Sequence, residues 1–351
     1  MNPLLKLFET MRPLFDEKKG VFRVFAPLFE TAENIFFYPE DCTKNFPHVR
    51  DPLDLKRFMG TAIVGLLPCL AAAVFFFGPR VLAMVLVSYV VGGIVEVSFA
   101  IIRKGEIHEG FLVTGMIFPL VLPPETPLWV VGVGIFFGTF FGKEVFGGTG
   151  RNIFNPALVG RIFITIAFPA IMTSGWASPG AWRGVEAVTT ATPMAVMKTQ
   201  GEMTPLIDLL LGCTRGSVGE TFHLGIIIGG IYLMYTKVTD WRIPVSYIGT
   251  AAVLGFVGSL ALPGRVAPAH FQVLGGALLF GAMFMATDPV TSPFTPSGKL
   301  VFGALCGLLT VLIRSFSGYV EGVMFSIVIM NALAPLIDHI VMSIKYREAG
   351  T

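Results

Sequence analysis

The chain has 351 residues, 54% of them hydrophobic and only 14% charged, with a mean hydropathy of +0.74. Soluble domains carry about 25% charged residues, so the composition excludes an ordinary soluble enzyme. It describes an all-α polytopic membrane protein with room for about ten spans of roughly 20 residues. A net charge of +2 gives no ground for a nucleic-acid partner. Four scattered cysteines (Cys42, Cys69, Cys213, Cys306), with no Cys-x-x-Cys spacing, argue against a zinc or iron–sulfur site.

Residues 1–55 mix polar and aromatic residues and lack the apolar core of a signal peptide. Within them, Asn2–Phe15 has apolar residues at helical spacing and is expected as a helix lying on the membrane. Apolar runs follow at about 57–78, 81–102, 109–122, 127–142, 157–172, 223–236, 244–263, 270–286, 300–316 and 320–344. Two are too short for a straight crossing: 109–122 stops at Pro123-Pro124, and 270–286 stops at Asp288-Pro289. Short, Pro-interrupted segments at corresponding places in two halves point to broken helices around a central site. The halves echo each other, Asn155-Pro-Ala-Leu158 with Asn331-Ala-Leu-Ala-Pro335, and Leu122–Pro127 with Asp288–Pro293. Two five-helix repeats are therefore expected, 56–172 and 223–345, joined by the long polar loop 173–222.

With the N-terminus placed in the cytoplasm, eighteen of the 25 Lys and Arg residues fall on the inner side and five on the outer side. The positive-inside rule then puts both termini in the cytoplasm and the loop 173–222 outside.

Ionisable groups within a bilayer are expensive and point to function. Glu96 lies mid-span after Gly92-Gly93, a pair that lets a backbone or flat ligand approach closely. It reads either as functional or as a carboxylate protonated or paired for structure. Asp338 lies in the last span beside His339. Asp288 sits at a Pro-broken span end, as a cation ligand or as a turn residue. Arg161 and Arg314 are expected to pair with these acids or to reach toward the interface. The Gly-rich run Gly147–Asn152 reads as an anion or cofactor cradle or as a tight turn. Asn152 and Asn155 add amides suited to the edge of a flavin ring. In the outer loop, Glu186–Pro193 offers the Thr192 hydroxyl among small neighbours, where a bulky group could be attached; such Ala/Thr runs are also ordinary loop sequence.

The run Gly142–Arg161, then Glu186–Pro193, then Met285–Val290, in that order, resembles a family of membrane proteins. Its members are the B subunit of the Na⁺-translocating NADH:quinone oxidoreductase and the D subunit of the Rnf complex. The resemblance covers about residues 45–344, and the polar N-terminal extension with His48–Arg57 is more similar to the quinone-reductase side. It implies FMN joined through its phosphate to Thr192 by a flavin transferase outside the bacterial inner membrane. Thr190 and Glu186 depart from the Gly and Asp usual there, which leaves Thr189 and Thr190 as neighbouring acceptor hydroxyls. The resemblance also implies a non-covalent riboflavin near Asn152 and Asn155, quinone near Gly92 and Gly93, and Na⁺ or H⁺ handled by Glu96, Asp288 and Asp338. The function implied is a flavin-carrying subunit of an ion-translocating NADH:quinone oxidoreductase. An Rnf-type subunit acting between ferredoxin and NAD, a non-redox transporter and a scaffold without flavin are the rivals.

Overall fold

A computed structural model describes residues 10–13, 55–103, 110–180, 182 and 191–349, and all regular structure among them is helical. The expected surface helix Asn2–Phe15 lies outside the described residues except for a helical turn at 10–13. Residues 183–190 of the outer loop also lie outside them.

The first half contains α1 (Leu55–Phe77), α2 (Arg80–Arg103), α3 (Gly110–Leu120), α4 (Leu128–Gly142), α5 (Pro156–Ala167) and the short α6 (Pro169–Ser174). The connection holds α7 (Pro193–Gln200) and α8 (Leu206–Leu211). The second half contains α9 (His223–Tyr235), α10 (Arg242–Ala261), α11 (Ala269–Leu274), α12 (Leu278–Phe280), α13 (Pro296–Phe316) and α14 (Val323–Ala349). A wide π-type turn, Gly281–Met285, continues α12. Six helices, α1, α2, α4, α10, α13 and α14, are long and apolar enough to cross a membrane, and α3, α5 and α9 are shorter apolar helices. Each coincides with an apolar run of the sequence, and the run 270–286 becomes the broken α11–α12 segment. Large apolar side chains stand on the outside of the bundle, including Leu86 at 63% and Leu260 at 71% exposure. A soluble monomer does not expose apolar surface on this scale.

The breaks have local causes. Pro119 sits at the end of α3 and Pro123-Pro124 follow it. Gly275-Gly276 interrupts α11 and α12, with Gly276 at φ +72°, a conformation that glycine adopts freely. Asp288-Pro289 ends the second broken segment. Helices pack closely where a side chain is missing. A Cβ at Gly138 of α4 would collide with the Pro156 carbonyl and the Gly160 backbone of α5. A Cβ on Gly307 of α13 would lie 2.7 Å from the Tyr247 carbonyl of α10. Such small-residue contacts hold helices together where no hydrophobic force acts between them and the lipid. The second half is also tied by three buried hydroxyls, with Tyr247 OH 2.6 Å from Thr310 Oγ1 and Thr310 Oγ1 2.8 Å from Ser326 Oγ.

The echoing asparagines meet. The backbone N–H of Asn155 donates to Asn331 Oδ1 at 3.5 Å. Asn155 Nδ2 donates to the Met285 carbonyl at 3.5 Å, and Asn331 Nδ2 donates to the Thr291 carbonyl at 2.9 Å. Each asparagine thus secures the irregular backbone around Asp288.

Candidate functional site

A cavity opens between the halves beside α5. Phe58, Leu66, Ile117, Leu233 and Phe284 form apolar walls; Lys143, Thr149, Asn152, Asn155, Thr239 and Asp288 supply the polar lining. These side chains come from α1, α3, the end of α4, the Gly-rich loop, the α9–α10 connection and the break after the π-type turn.

The charges arrive by helix phase. Glu96 and Arg103 lie seven residues apart on α2, about two turns, so they share a face. That face meets Lys143 and Glu144, which directly follow α4. The Lys143 ammonium donates to the Glu96 carboxylate, and Arg103 Nη1 lies 2.9 Å from Glu144 Oε2. The Lys143 and Glu96 side chains are only 3% and 5% exposed. Breaking a pair so deeply buried leaves an uncompensated charge. Glu96 is therefore paired, and its partner is a residue that composition had assigned to a loop. The Gly-rich run turns tightly, with Gly147, Gly148 and Gly150 all at positive φ, and places Thr149 on the cavity. The hydroxyls of Thr149 and Thr239 are buried and lack any hydrogen-bond partner among the described residues.

Asp288 shapes its own turn and faces the cavity. Its Oδ1 accepts from Val290 N at 3.2 Å and its Oδ2 from Thr291 Oγ1 at 3.2 Å. The amides of the two asparagines are largely committed. Asn155 Oδ1 caps α5 by accepting from Ala157 N at 3.1 Å, and Asn152 Nδ2 donates to the Phe154 carbonyl at 3.1 Å. Asp338 lies elsewhere, on α14, with its carboxylate against the start of α13. It accepts from the N–H groups of Phe294 and Thr295 at 2.6 and 2.9 Å and from the Thr295 hydroxyl, which in turn caps α13. Gly92 is packed against α4, where a Cβ would lie 3.3 Å from Ile135. Gly93 is more open, with only the Phe111 ring 3.9 Å from such a Cβ.

Arg161 and Arg314 pair with none of Glu96, Asp288 and Asp338. About one and a half turns along α5 from Asn155, Arg161 Nη2 donates to Ser217 Oγ at 3.4 Å. Ser217 N donates to Glu220 Oε1 at 2.6 Å, while Oε2 of Glu220 has no hydrogen-bond partner among the described residues. Arg314 Nη2 lies 3.2 Å from Glu321 Oε2, and Nη1 donates to the Gln272 carbonyl at 2.7 Å. Burial, reinforced by the nearby Glu321 charge, holds the Glu220 carboxyl above the usual range against the pull of Arg161 and Ser217. Sequence reading missed Glu220, Glu321 and the role of Lys143. The only signals were glycines beside them (Gly142, Gly216, Gly219, Gly322) and the Lys-Glu dipeptide abutting an apolar run.

Thr192 is the N-cap of α7, with Pro193 at the first helical position. An N-cap threonine ordinarily accepts a hydrogen bond from the first turn. This one makes no side-chain cap bond and is half-buried, so its hydroxyl is not consumed by the helix.

Broken helices, irregular backbone and ionisable side chains gathered between two halves define a polytopic membrane protein of the kind that keeps a polar site within its bundle. The chain matches the family described as NQR2, RnfD, RnfE over residues 42–347, and it belongs to that family. It is 37% identical to a protein of Ectopseudomonas mendocina, over 95% of this chain and 96% of the relative. It is 36% identical to a protein of Azotobacter vinelandii, with the same coverage, and to one of Chromohalobacter salexigens, over 91% and 90%. All three relatives are named as the B subunit of a Na(+)-translocating NADH-quinone reductase.

Proposed function

We propose that this chain is the flavin-carrying membrane subunit of an Na⁺-translocating NADH:quinone reductase, passing electrons through its own bundle while a cation crosses. The names of its relatives support the assignment to such a complex and imply its other subunits as partners. The chain is read as two five-helix repeats, 56–172 and 223–345, in a bacterial inner membrane with both termini cytoplasmic. The loop 173–222 then faces a flavin transferase working outside.

The observation that carries the reading is the Thr192 hydroxyl, which makes no cap bond at the start of α7. Its oxygen would form the phosphoester to FMN. The exposed N–H groups and positive end of the helix favour the phosphate charge. Pro193 costs nothing there, because the first helical N–H has no intrahelical partner.

The cavity is read as the place of the second flavin, riboflavin. The orphaned hydroxyls of Thr149 and Thr239, with Asn152, fit the polar edge of a flavin ring, and Asn155 holds the backbone behind it. The present space of about 80 Å³ holds a few waters, so the ring enters only as the Phe58 and Phe284 side chains give way. Bound flavins supply the electron transfer; the chain supplies position, polarity and exclusion of water. The open face at Gly93, beside buried Gly92, is where a quinone ring can approach. Glu96 and Asp288 supply carboxylates for the cation, and Asp338 positions the Pro293–Pro296 turn that carries α13 away from Asp288.

Thr192→Ala tests the reading. In-gel flavin fluorescence of the denatured protein should disappear while the complex still assembles. Fluorescence at full strength would remove Thr192 as the attachment point.

A further inference from the structure

On the side of the bundle that carries the loop 173–222, read as the outer side, cations are scarce. Five of the 25 Lys and Arg residues fall there: Arg80, Arg183, Lys198, Arg215 and Arg265. Arg183 lies outside the described residues. Arg80 donates to the carbonyls of Glu125 and Thr126 at 3.2 Å, and Arg215 donates to Ser178 Oγ at 2.7 Å. Lys198 and Arg265 instead converge, from α7 and from the turn after α10, on one cavity of about 180 Å³.

No carboxylate stands in the lining of that cavity. Met194, Met197, Ala267 and Val320 make apolar walls, and the buried Arg314 joins the two exposed cations. Glu321 answers Arg314, so Lys198 and Arg265 remain as two positive charges with no ion-pair partner among the described residues. Unused donors gather at the same place. Lys198 Nζ donates to the carbonyls of Ser317 and Tyr319 at 2.5 and 2.9 Å, which pins the ammonium and leaves its third N–H. The Arg265 guanidinium lies over the Phe316 ring, 4.9 Å from its centroid, a contact that consumes no N–H donor. Arg314 Nε and Ser315 Oγ are buried with no hydrogen-bond partner among the described residues. Such a set suits an anion with several oxygens, such as a phosphate, and the space admits one with a few waters.

The surroundings decide which phosphate. The cavity lies where α10 ends at Ala261 and α13 ends at Phe316, and both helices are long and apolar enough to cross a membrane. Leu260, Leu262, Leu312 and Phe316 are exposed at these ends, so apolar surface runs up to the cations. That is the level at which lipid headgroups meet the hydrocarbon layer. A phosphoester on Thr192 would lie apart from Lys198, which is six residues further along α7, about 9 Å of helix.

We propose that this cavity binds the phosphate of an anionic phospholipid whose acyl chains lie on the exposed ends of α10 and α13. Lys198 and Arg265 clamp the headgroup, as basic pockets between membrane helices do, and the lipid fastens α7 to the second half of the bundle. The inference rests on the membrane-spanning fold and is independent of the flavin and cation readings above.

The test uses the protein purified with its accompanying subunits in neutral detergent and stripped of lipid. Its thermal midpoint is followed as dioleoylphosphatidylglycerol or dioleoylphosphatidylcholine is added to the micelles. Phosphatidylglycerol should raise the midpoint saturably and phosphatidylcholine should not; a wild-type midpoint indifferent to phosphatidylglycerol overturns the inference. The double variant Lys198→Met, Arg265→Met should need about tenfold more phosphatidylglycerol for half the effect, as expected on losing two basic contacts to an anionic headgroup. An unchanged titration in that variant overturns the inference. Arg215→Met removes an equal charge elsewhere on the same side and should leave the titration as it was; an equal weakening there means diffuse attraction without a site, and also overturns it. If the double variant does not fold, Arg265→Met decides: a weakened titration supports the site and an unchanged one overturns it. An equal rise with inorganic phosphate at the same concentration makes the ligand a free anion and overturns the lipid. Thr192→Ala should keep the lipid effect whether or not flavin is lost; disappearance of the effect would put the flavin in the cavity and overturn the inference.

Discussion

The cavity and the arginine cluster both bury charge within the same bundle, and they do so under opposite rules. Around Arg161 and Arg314, two guanidinium groups face two carboxylates, Glu220 and Glu321, so the charges balance. Planar guanidinium groups also spread several fixed donors over Ser217, Gln272 and Glu321. At the cavity the buried cation among the described residues is Lys143, a compact charge on a flexible stem that contacts Glu96. The first arrangement locks elements together. The second sets one ammonium against a carboxylate at the edge of a cavity. Buried ionic groups in one protein are thus not one category, and the kind of cation, with what lies beside it, tells them apart.

The contrast can be broken at its strongest point. Arg314→Met should destabilise the protein by about 3–5 kcal/mol, as for other buried pairs that lose one partner, and the loss should be the same in Na⁺ and in choline, read as the thermal midpoint of the purified complex. A Na⁺-dependent loss would erase the distinction between the two regions. A smaller effect is expected at Glu220. Its proton affinity is raised in the fold, so ionising it opposes folding, and that part of the stability falls as pH rises above the ordinary carboxylate range. Glu220→Gln should flatten this decline in a series of thermal midpoints from pH 5 to pH 8; an unaltered slope would show that Glu220 is not the group responsible. The smallest effect is expected at a solvent-facing pair. Burial alone would push Asp240 up, but hydrogen bonds from the Arg242 backbone and Lys299 outweigh it and hold its carboxyl below the usual range. Its contribution is present at neutral pH and lost as pH falls through the lowered value. Asp240→Asn should cost about 1 kcal/mol or less, the range of exposed pairs, and high salt should shrink that cost.

Much of the fold was legible because lipid forces long apolar runs and leaves proline and glycine as the only cheap interruptions. The expected runs 57–78, 81–102 and 300–316 fall on α1, α2 and α13, and Pro123-Pro124 and Asp288-Pro289 mark the real breaks. The echoing asparagines, Asn155 and Asn331, were read only as a sign of repetition, and the fold brings them into contact. The charge partners were not legible, since pairing depends on helix rotation and on which loop folds inward. Lys143 counted as an inner-loop cation, yet it is almost wholly buried against Glu96. Glu220 belonged to a loop taken as polar, yet that loop packs against the end of α3, where Val218 N and Gly219 N bond the carbonyls of Leu122 and Leu120. The family resemblance assigned Glu96, Asp288 and Asp338 together to ion handling. The structure puts Asp338 within α14, where its carboxylate is occupied with the backbone N–H groups that precede α13.

The wide turn Gly281–Met285 sets the angular phase of everything after it. An α-helix advances about 100° per residue, and a π-type turn inserts one residue that this rhythm does not count. Its closing bond runs from Ala286 N to Gly281 O at 2.8 Å, and Thr287 and Asp288 follow at once. A chain one residue shorter at this point could close an ordinary helical turn, but it would aim the carboxylate roughly a quarter-circle away from the cavity it now lines. The bulge works as a vernier, turning an acid that helical geometry would have hidden until it faces the gap between the two halves.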